Sequence, residues 1–307
     1  MTNPSEPIKN THTSHFLQQA RITLPIIGGP MYPCSNPELV AAVSEAGAIG
    51  IVQPISLTFV HGYDFREGLR YIRTLTNKPI GMNALIEQSN QRYHQRMVQW
   101  LDIALEEGIL FYITSLGKPN WVVKRVHDAG GVVYHDVTER KWAEKAIDAG
   151  VDGIVAVNNR AGGHAGNYNM QALDIGYAGV QMGTRFIATT ECNASLSYKQ
   201  AIVEAKESDI VLSERVSGTP VSLIHTPYVD RLGIKSTRLE QWMLRGKKLK
   251  YLMRTIFMLK SMWKLKKAML NKSGSFEYWQ AGKSVEGINA IEPVSVIIER
   301  FSKVIID

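Results

Sequence analysis

Residues 25–52 read PIIGGPMYPCSNPELVAAVSEAGAIGIV, and this stretch decides the fold class. A short apolar run is followed by glycines and prolines, then by a helical pattern, and then by a second apolar run. Asn36 followed by Pro37 is typical of a helix N-cap and a first helical residue, and Gly47 is typical of a helix end. The stretch therefore predicts a strand–helix–strand unit of the kind that builds a parallel sheet.

The same alternation of apolar runs and helical patterns repeats along the chain from Arg21. Units of about twenty to thirty residues, with glycines or polar residues after the strands, favour a TIM-type (β/α) barrel over the alternative, an open doubly wound sheet. In such a barrel the functional residues lie at the carboxyl ends of the strands. The predicted strands are Ile22–Gly28, Ala48–Gln53, Pro79–Asn83, Leu110–Thr114, Gly131–His135, Gly153–Val157 and Gly179–Met182.

The pattern changes after Phe186 to helical segments with one short β-like piece. This change predicts a second, smaller domain beside the α/β barrel. We expect a flexible leader at 1–20, the barrel at 21–190, a mostly helical substrate or lid domain at 191–290, and a C-terminal helix at 291–307 that returns to the barrel.

Composition places the chain among globular proteins. Of its 307 residues, 45% are hydrophobic and 21% are charged. No run of about eighteen apolar residues is present, and the first residues lack the basic-then-apolar pattern of a secretory signal, so we expect a soluble, cytoplasmic protein. Cys34 and Cys192 lie far apart without metal-type spacing, so neither a disulfide framework nor a metal site is expected.

The formal net charge of +7 is concentrated in one segment. Residues 245–272, RGKKLKYLMRTIFMLKSMWKLKKAMLNK, contain no acidic residue and carry apolar side chains among the basic ones. Such a helix packs its apolar side on a barrel, lies on anionic lipid or binds nucleic acid. No nucleic-acid motif accompanies it, so we expect no nucleic-acid partner. We expect its apolar side to pack on the barrel, and binding to a membrane surface through 245–272 is the alternative.

Three strand ends carry side chains with a chemical use. His164, in AGGHAG, has no apolar periodicity to bury it and can act as a proton acceptor or charge partner, although a surface role is the alternative. The segment QMGTRF at 181–186 offers backbone amides and the Thr184 hydroxyl where barrels often hold a phosphate, or it is an ordinary strand exit. His135 and Asp136 end another strand. They either face a ligand or make structural hydrogen bonds.

Several of these segments together carry a family resemblance. They are PIIGGPMYPCSNPELVAAVSEAGAIGIV, KPIGMNALIE, AVNNRAGGHAG, GYAGVQMGTRFIATTEC and YWQAGKSVEGI. The combination resembles nitronate monooxygenases of the 2-nitropropane dioxygenase family, from about Arg21 to Phe301. Flavin-dependent enoyl-acyl-carrier-protein reductases are more distant relatives with the same pattern.

The resemblance implies a TIM barrel that holds non-covalent FMN beneath a helical second domain. It places Gly29, Pro30 and Met31 along the isoalloxazine through their backbone, and Asn83 in contact with the flavin ring. It also implies that Gly162 and Gly163 lie beside the cofactor, and that Gln181, Gly183 and Thr184 lie near its phosphate.

The reaction that the resemblance implies is oxidation of an alkyl nitronate by bound flavin, with dioxygen as the oxidant and a carbonyl compound plus nitrite as products. His164 matches the family's active-site histidine and would supply charge stabilisation or proton transfer. The partners are then a small-molecule substrate and dioxygen, and a homodimer stays open. The alternatives are an enoyl reductase that uses NAD(P)H, or a catalytically silent remnant of the family.

The comparison with the family also indicates a missing segment. In the family, the histidine loop is followed by a helix, a seventh strand with a glycine-rich turn, another helix and only then the strand that ends in QMGT. Here AGGHAGN runs almost directly into YNMQALDIGYAGVQMG. About one βα unit, on the order of thirty residues, is absent near 167–170. A barrel without this unit must change its stagger or stay open between the sixth and last strands, and it loses half of the phosphate cradle.

Overall fold

The computed structural model describes residues 11–86, 90–157, 160–164, 177–214, 220–235, 262–269 and 278–306. The helices are α1 (Thr11–Ala20), α2 (Pro37–Glu45), α3 (Phe65–Leu75), α4 (Gln91–Glu106), α5 (Asn120–Asp128), α6 (Arg140–Asp148), α7 (Thr184–Ile187), α8 (Leu196–Glu204), α9 (Pro227–Leu232), a helix at 262–269, and α10 (Val294–Ile306). The strands are β1 (Ile26–Gly28), β2 (Ile49–Val52), β3 (Ile80–Leu85), β4 (Phe111–Ser115), β5 (Val132–Val137), β6 (Gly153–Ala156), β7 (Gly163–His164), β8 (Val180–Met182), β9 (Ile210–Ser213) and β10 (Val221–Ile224).

Seven parallel strands form a nearly closed barrel with helices around it. Their order is β6-β5-β4-β3-β2-β1-β8, and each of them matches one of the seven predicted strands. Among the described residues β6 and β8 are the two edges of the sheet, so the barrel is interrupted where the sequence predicts the missing unit. The TIM-type barrel is confirmed, and the doubly wound alternative is wrong because the chain order runs around a barrel instead of reversing at a switch point.

Side chains along each strand alternate between the outside and the inside of the barrel, and this alternation gives two apolar layers. Outward side chains such as Met82 and Tyr112 pack with buried residues of the surrounding helices, whereas inward side chains such as Ile51, Phe111 and Tyr134 form an inner cluster. The inner cluster fills the barrel, so a ligand can enter only above it, at the carboxyl ends of the strands.

Residues 11–20 form helix α1 and differ from the expected flexible leader. Phe16 and Ala20 are buried in the inner cluster, because a spacing of four residues places both on one face of the helix. The Phe16 ring centre lies 5.7 Å from that of Tyr134 and 6.2 Å from that of Phe111. Helix α1 therefore closes the amino end of the barrel.

Beyond the barrel, residues expected to be mostly helical also include a small antiparallel sheet. Its order is β7-β10-β9, with Val221 opposite both His164 and Ser213. Ile297 and Ile298 of helix α10 join the same apolar cluster as Leu39 of α2. No described helix is long and apolar enough to cross a membrane.

Candidate active site

The ends of the first and last barrel strands meet at the carboxyl end of the barrel. The Gly29 amide donates to the Met182 carbonyl at 2.8 Å, and a Cβ on Gly29 would lie 3.1 Å from Gln181 Cγ. A Cβ on Gly183 would lie 3.4 Å from Met31 Sδ. Gly29, Met31, Gln181 and Gly183 are thus brought together, with the partly buried Pro30 in the same turn.

Asn83 lies on the inward face of β3. Its neighbours Met82 and Ala84 pack outward against the helices, so the Asn83 side chain faces the barrel interior. It is buried, and its Nδ2 donates to the Ile113 carbonyl at 3.1 Å. This hydrogen bond holds the amide in one orientation above the inner cluster.

A second group of backbone atoms converges around Thr184. Its Oγ1 accepts a hydrogen bond from the Gly282 amide at 2.9 Å. A Cβ on Gly162 would lie 2.9 Å from that oxygen and 3.0 Å from the Gly282 nitrogen. Only a glycine fits at 162 without moving the backbone of residue 282. Gly282 belongs to the YWQAGKSVEGI motif, which carried the resemblance but had no role assigned, so this contact was missed.

The histidine segment is held by the region outside the barrel. Gly163 pairs with Ser222 and His164 with Val221, and Ser222 Oγ donates to the Ala161 carbonyl at 2.8 Å. The Lys283 amide donates to the Arg160 carbonyl at 2.9 Å. The predicted role of His164 depends on its side chain, which lies outside the described part of the structure. Residues 158–159 and 165–176 also lie outside it.

His135 and Asp136 face opposite sides of β5. His135 Nδ1 lies 2.7 Å from Thr114 Oγ1 on the outward side, and burial lowers the pKa of this histidine, which keeps the ring neutral. Asp136 follows Tyr134 by two residues and so faces inward, opposite Val155. Its Oδ1 is buried without a hydrogen-bond partner among the described residues, and burial raises the pKa of Asp136 to about 7.

These residues can be compared with the two parts of FMN, the cofactor that the family resemblance implies: its flavin ring and its phosphate. At the ring end, glycines leave the backbone uncovered, and Asn83 and Asp136 bring polar groups to the interior face. At the phosphate end, the Thr184 hydroxyl accepts from Gly282 and keeps its own proton to donate. The described residues therefore fit the ring and one side of the phosphate, and residues 165–176 lie outside the described part.

The fold is that of a TIM-barrel enzyme, and the converging strand ends form a candidate site at the carboxyl mouth of the barrel. The chain matches the family model of nitronate monooxygenase over residues 14–174 and 170–302, and it belongs to this family. The protein is therefore an oxidoreductase of a family of flavin enzymes. The two matched stretches meet at 170–174, which is close to the predicted missing unit.

Two curated relatives show how far the similarity extends. A (3aS,4S,5R,7aS)-5-hydroxy-7a-methyl-1-oxo-octahydro-1H-indene-4-carboxyl-CoA dehydrogenase of Rhodococcus jostii is 25% identical over 236 residues, 68% of this chain and 64% of that relative. The chain thus spans less than two thirds of the Rhodococcus protein. A probable nitronate monooxygenase of Staphylococcus aureus is 23% identical over 288 residues, 71% of this chain and 80% of the relative.

Solved structures share the fold over nearly the whole chain. FabK from Thermotoga maritima has a TM-score of 0.74 at 24% identity and covers 94% of both chains. A nitroalkane oxidase from Streptomyces ansochromogenes has a TM-score of 0.72 at 18% identity and covers 94% of this chain and 96% of its own. At these identities the similarity shows the fold alone.

Proposed function

We propose that this protein oxidises an alkyl nitronate to a carbonyl compound and nitrite, with FMN as cofactor and dioxygen as oxidant. The observation that carries the proposal is the convergence of Gly29, Gly183, Thr184 and Gly282 at the carboxyl mouth of the barrel, in a chain of the nitronate monooxygenase family. Bound FMN supplies the two-electron oxidation and the reaction with dioxygen.

The chain's own residues orient the reactants in this proposal. Gly29, Pro30 and Met31 line the flavin ring with their backbone, and Asn83 contacts it from β3. The amides of Gly29 and Met31 are bonded to Met182 and Ser35, so these residues act through shape. The remaining proposed cofactor contacts are Gly162, Gly163, Gln181, Gly183 and Thr184.

His164 has the catalytic role in the proposal: it takes the α-proton of the parent nitroalkane, which yields the nitronate, or it stabilises the nitronate charge. Its backbone pairs with Val221, so β10 fixes the height of this residue above the barrel. We propose that residues 191–290 form the roof of the site. In support, the Tyr32 hydroxyl donates to the Met262 carbonyl at 2.7 Å, and Lys266 Nζ donates to the Phe59 carbonyl at 2.6 Å. Helix 262–269 therefore contacts the loops after β1 and β2.

The test of the catalytic role is His164→Ala in the FMN-loaded protein. Because one acid–base group contributes about 10²-fold or more, turnover of a nitronate should fall by that factor while FMN content stays unchanged. His15→Ala is the matched control, because His15 is exposed on α1 at the other end of the barrel. Normal turnover in His164→Ala would remove this residue from the mechanism.

A second candidate is reduction or oxidation of an acyl thioester with a nicotinamide partner, as in an enoyl reductase. It is favoured by the Rhodococcus relative, whose name is that of a CoA-thioester dehydrogenase. Nitronate-dependent oxygen consumption without NAD(P)H supports the first function. NADH oxidation coupled to an enoyl thioester supports the second, and a protein that retains no flavin after loading with FMN contradicts both.

A further inference from the structure

A cavity of about 390 Å³ opens at the amino end of the barrel, opposite the candidate active site. It lies between the end of α1, the end of α3 and the starts of β3 and β4, which is the end that α1 closes. Polar and charged groups around it include Gln19, Arg21, Arg73, Asn77 and Lys78. Its volume is within the range of pockets that hold small molecules.

The charge around this cavity has one sign. No carboxylate is among its described lining residues, and Arg21, Arg73 and Lys78 form no ion pair within the described part of the chain. Arg73 Nη1 donates to the Lys78 carbonyl at 2.7 Å, and burial without an acidic partner lowers the pKa of Arg73. The acidic residues just before Gly108, namely Glu106 and Glu107, are bound by Arg66 and Arg70. Three cationic side chains thus share one concave space without compensation.

The backbone at Arg21 gives a second, independent observation. Arg21 has φ of 56°, in the left-handed region, directly after α1. The Ile22 amide donates to the Leu17 carbonyl at 3.1 Å, the hydrogen bond of a helix end at which glycine is usual. A non-glycine residue there costs roughly 1 kcal/mol, and strained residues concentrate at ligand sites. The chain therefore retains an unfavourable residue at a position that lines the cavity.

We propose that this cavity binds the phosphate group of a small anion. Arg21 and Arg73 offer guanidinium donors that suit phosphate oxygens, and Lys78 adds a point charge. The Gln19 side-chain oxygen accepts from the Tyr134 hydroxyl at 2.7 Å, so its amide nitrogen is the end left to donate to the ligand. Bound here, the anion joins α1 to α3 at the closed end of the barrel.

Calorimetric titration of the full chain with inorganic phosphate, and separately with 3-phosphoglycerate, tests the proposal at constant ionic strength. We expect one site for the phosphate group. Equal affinities identify free phosphate as the source, and tighter binding of 3-phosphoglycerate identifies a phosphorylated metabolite. Arg73→Gln and Lys78→Gln should each weaken binding about tenfold, the effect of one charge-assisted contact.

Arg21→Gly separates binding from folding. Glycine relieves the left-handed strain, so the thermal midpoint should not fall, yet phosphate affinity should drop about tenfold. Arg140→Gln removes one positive charge from an exposed residue of α6 and should bind like the unmodified protein. Absence of binding by either probe overturns the proposal, and so does an equal loss of affinity in Arg140→Gln, which would indicate only a general charge effect.

Discussion

At the scale of single residues, Asp136 is a carboxyl group buried where its charged form is unfavourable. Burial raises the pKa of Asp136 from 3.8 to about 7, and its Oδ1 has no partner in the described part of the chain. The folded protein therefore binds this proton more tightly than the unfolded chain does. The stability that the protonated form contributes is present below pH 4 and is lost as the pH rises to about 7.

We predict that Asp136→Asn removes the loss of folding stability that deprotonation of Asp136 causes. At pH 8 the variant should be more stable than the unmodified protein by roughly 1–3 kcal/mol, and the difference should vanish towards pH 4. Urea unfolding between pH 4 and pH 8 measures it. Asp148→Asn is the control, because Asp148 is exposed on α6 and its removal should leave the pH profile unchanged. Parallel profiles for both variants would contradict the assignment.

At the scale of elements, glycine decides how closely α2 packs on β2. A Cβ on Gly50 would lie 2.1 Å from the Val40 carbonyl oxygen, which belongs to the helix backbone and cannot rotate away. Gly50→Ala should therefore force the helix from the sheet and destabilise the protein by about 2 kcal/mol or more. Gly287→Ala should change stability by less than about 0.5 kcal/mol, because apart from its chain neighbours no heavy atom lies within 4 Å of its Cβ position. Equal urea midpoints for the two variants would show that α2 can shift without cost.

Helix α1 is a second element with a measurable contribution. Phe16 is buried between Phe111 and Tyr134, so Phe16→Ala should leave a cavity at the closed end of the barrel and cost about 3–5 kcal/mol. His15→Ala changes the adjacent, exposed residue and should have little effect. Chemical denaturation of both variants measures the difference, and a small loss for Phe16→Ala would mean that α1 is not part of the folded core.

At the scale of the whole molecule, the interruption between β6 and β8 is the main departure from a complete barrel. The segment after β6 is held by Ser222, Glu207 and Gly282 from outside the barrel. The C-terminal region is in turn tied to α7, the short helix after the last barrel strand, because Arg185 of α7 binds Glu292, which also accepts from Arg300. The segment that leads to His164 is thus supported by residues outside the barrel, next to the interruption between β6 and β8.

We predict that inserting a family-like strand and glycine-rich turn after Asn167 raises the affinity for FMN. The added turn would supply backbone amides opposite Thr184, the residue proposed for the other side of the phosphate. Absorbance after desalting and a fluorescence titration with FMN measure the retained flavin. An unchanged dissociation constant would show that the shortened segment already forms its own phosphate cradle.

The sequence alone determined the strands, their order along the chain and the family. Strands buried on both faces are continuous apolar runs, and the helices between them are long enough to show their period, so both are readable locally. The family resemblance placed Gly29 and Gly162 at the candidate site. In the structure a Cβ on Gly29 would lie 3.1 Å from another segment and a Cβ on Gly162 would lie 2.9 Å from one, so both positions suit glycine.

Only the tertiary structure decided which distant residues meet. The burial of Phe16, the contact of Gly282 with Thr184 and the pairing of His164 with Val221 join segments that are remote in sequence. A two-residue strand has no periodicity, and a few apolar residues in a polar segment do not show what will cover them. The cavity at Arg21, Arg73 and Lys78 has the same origin, because its charges come from different elements and combine only when α1 closes the barrel.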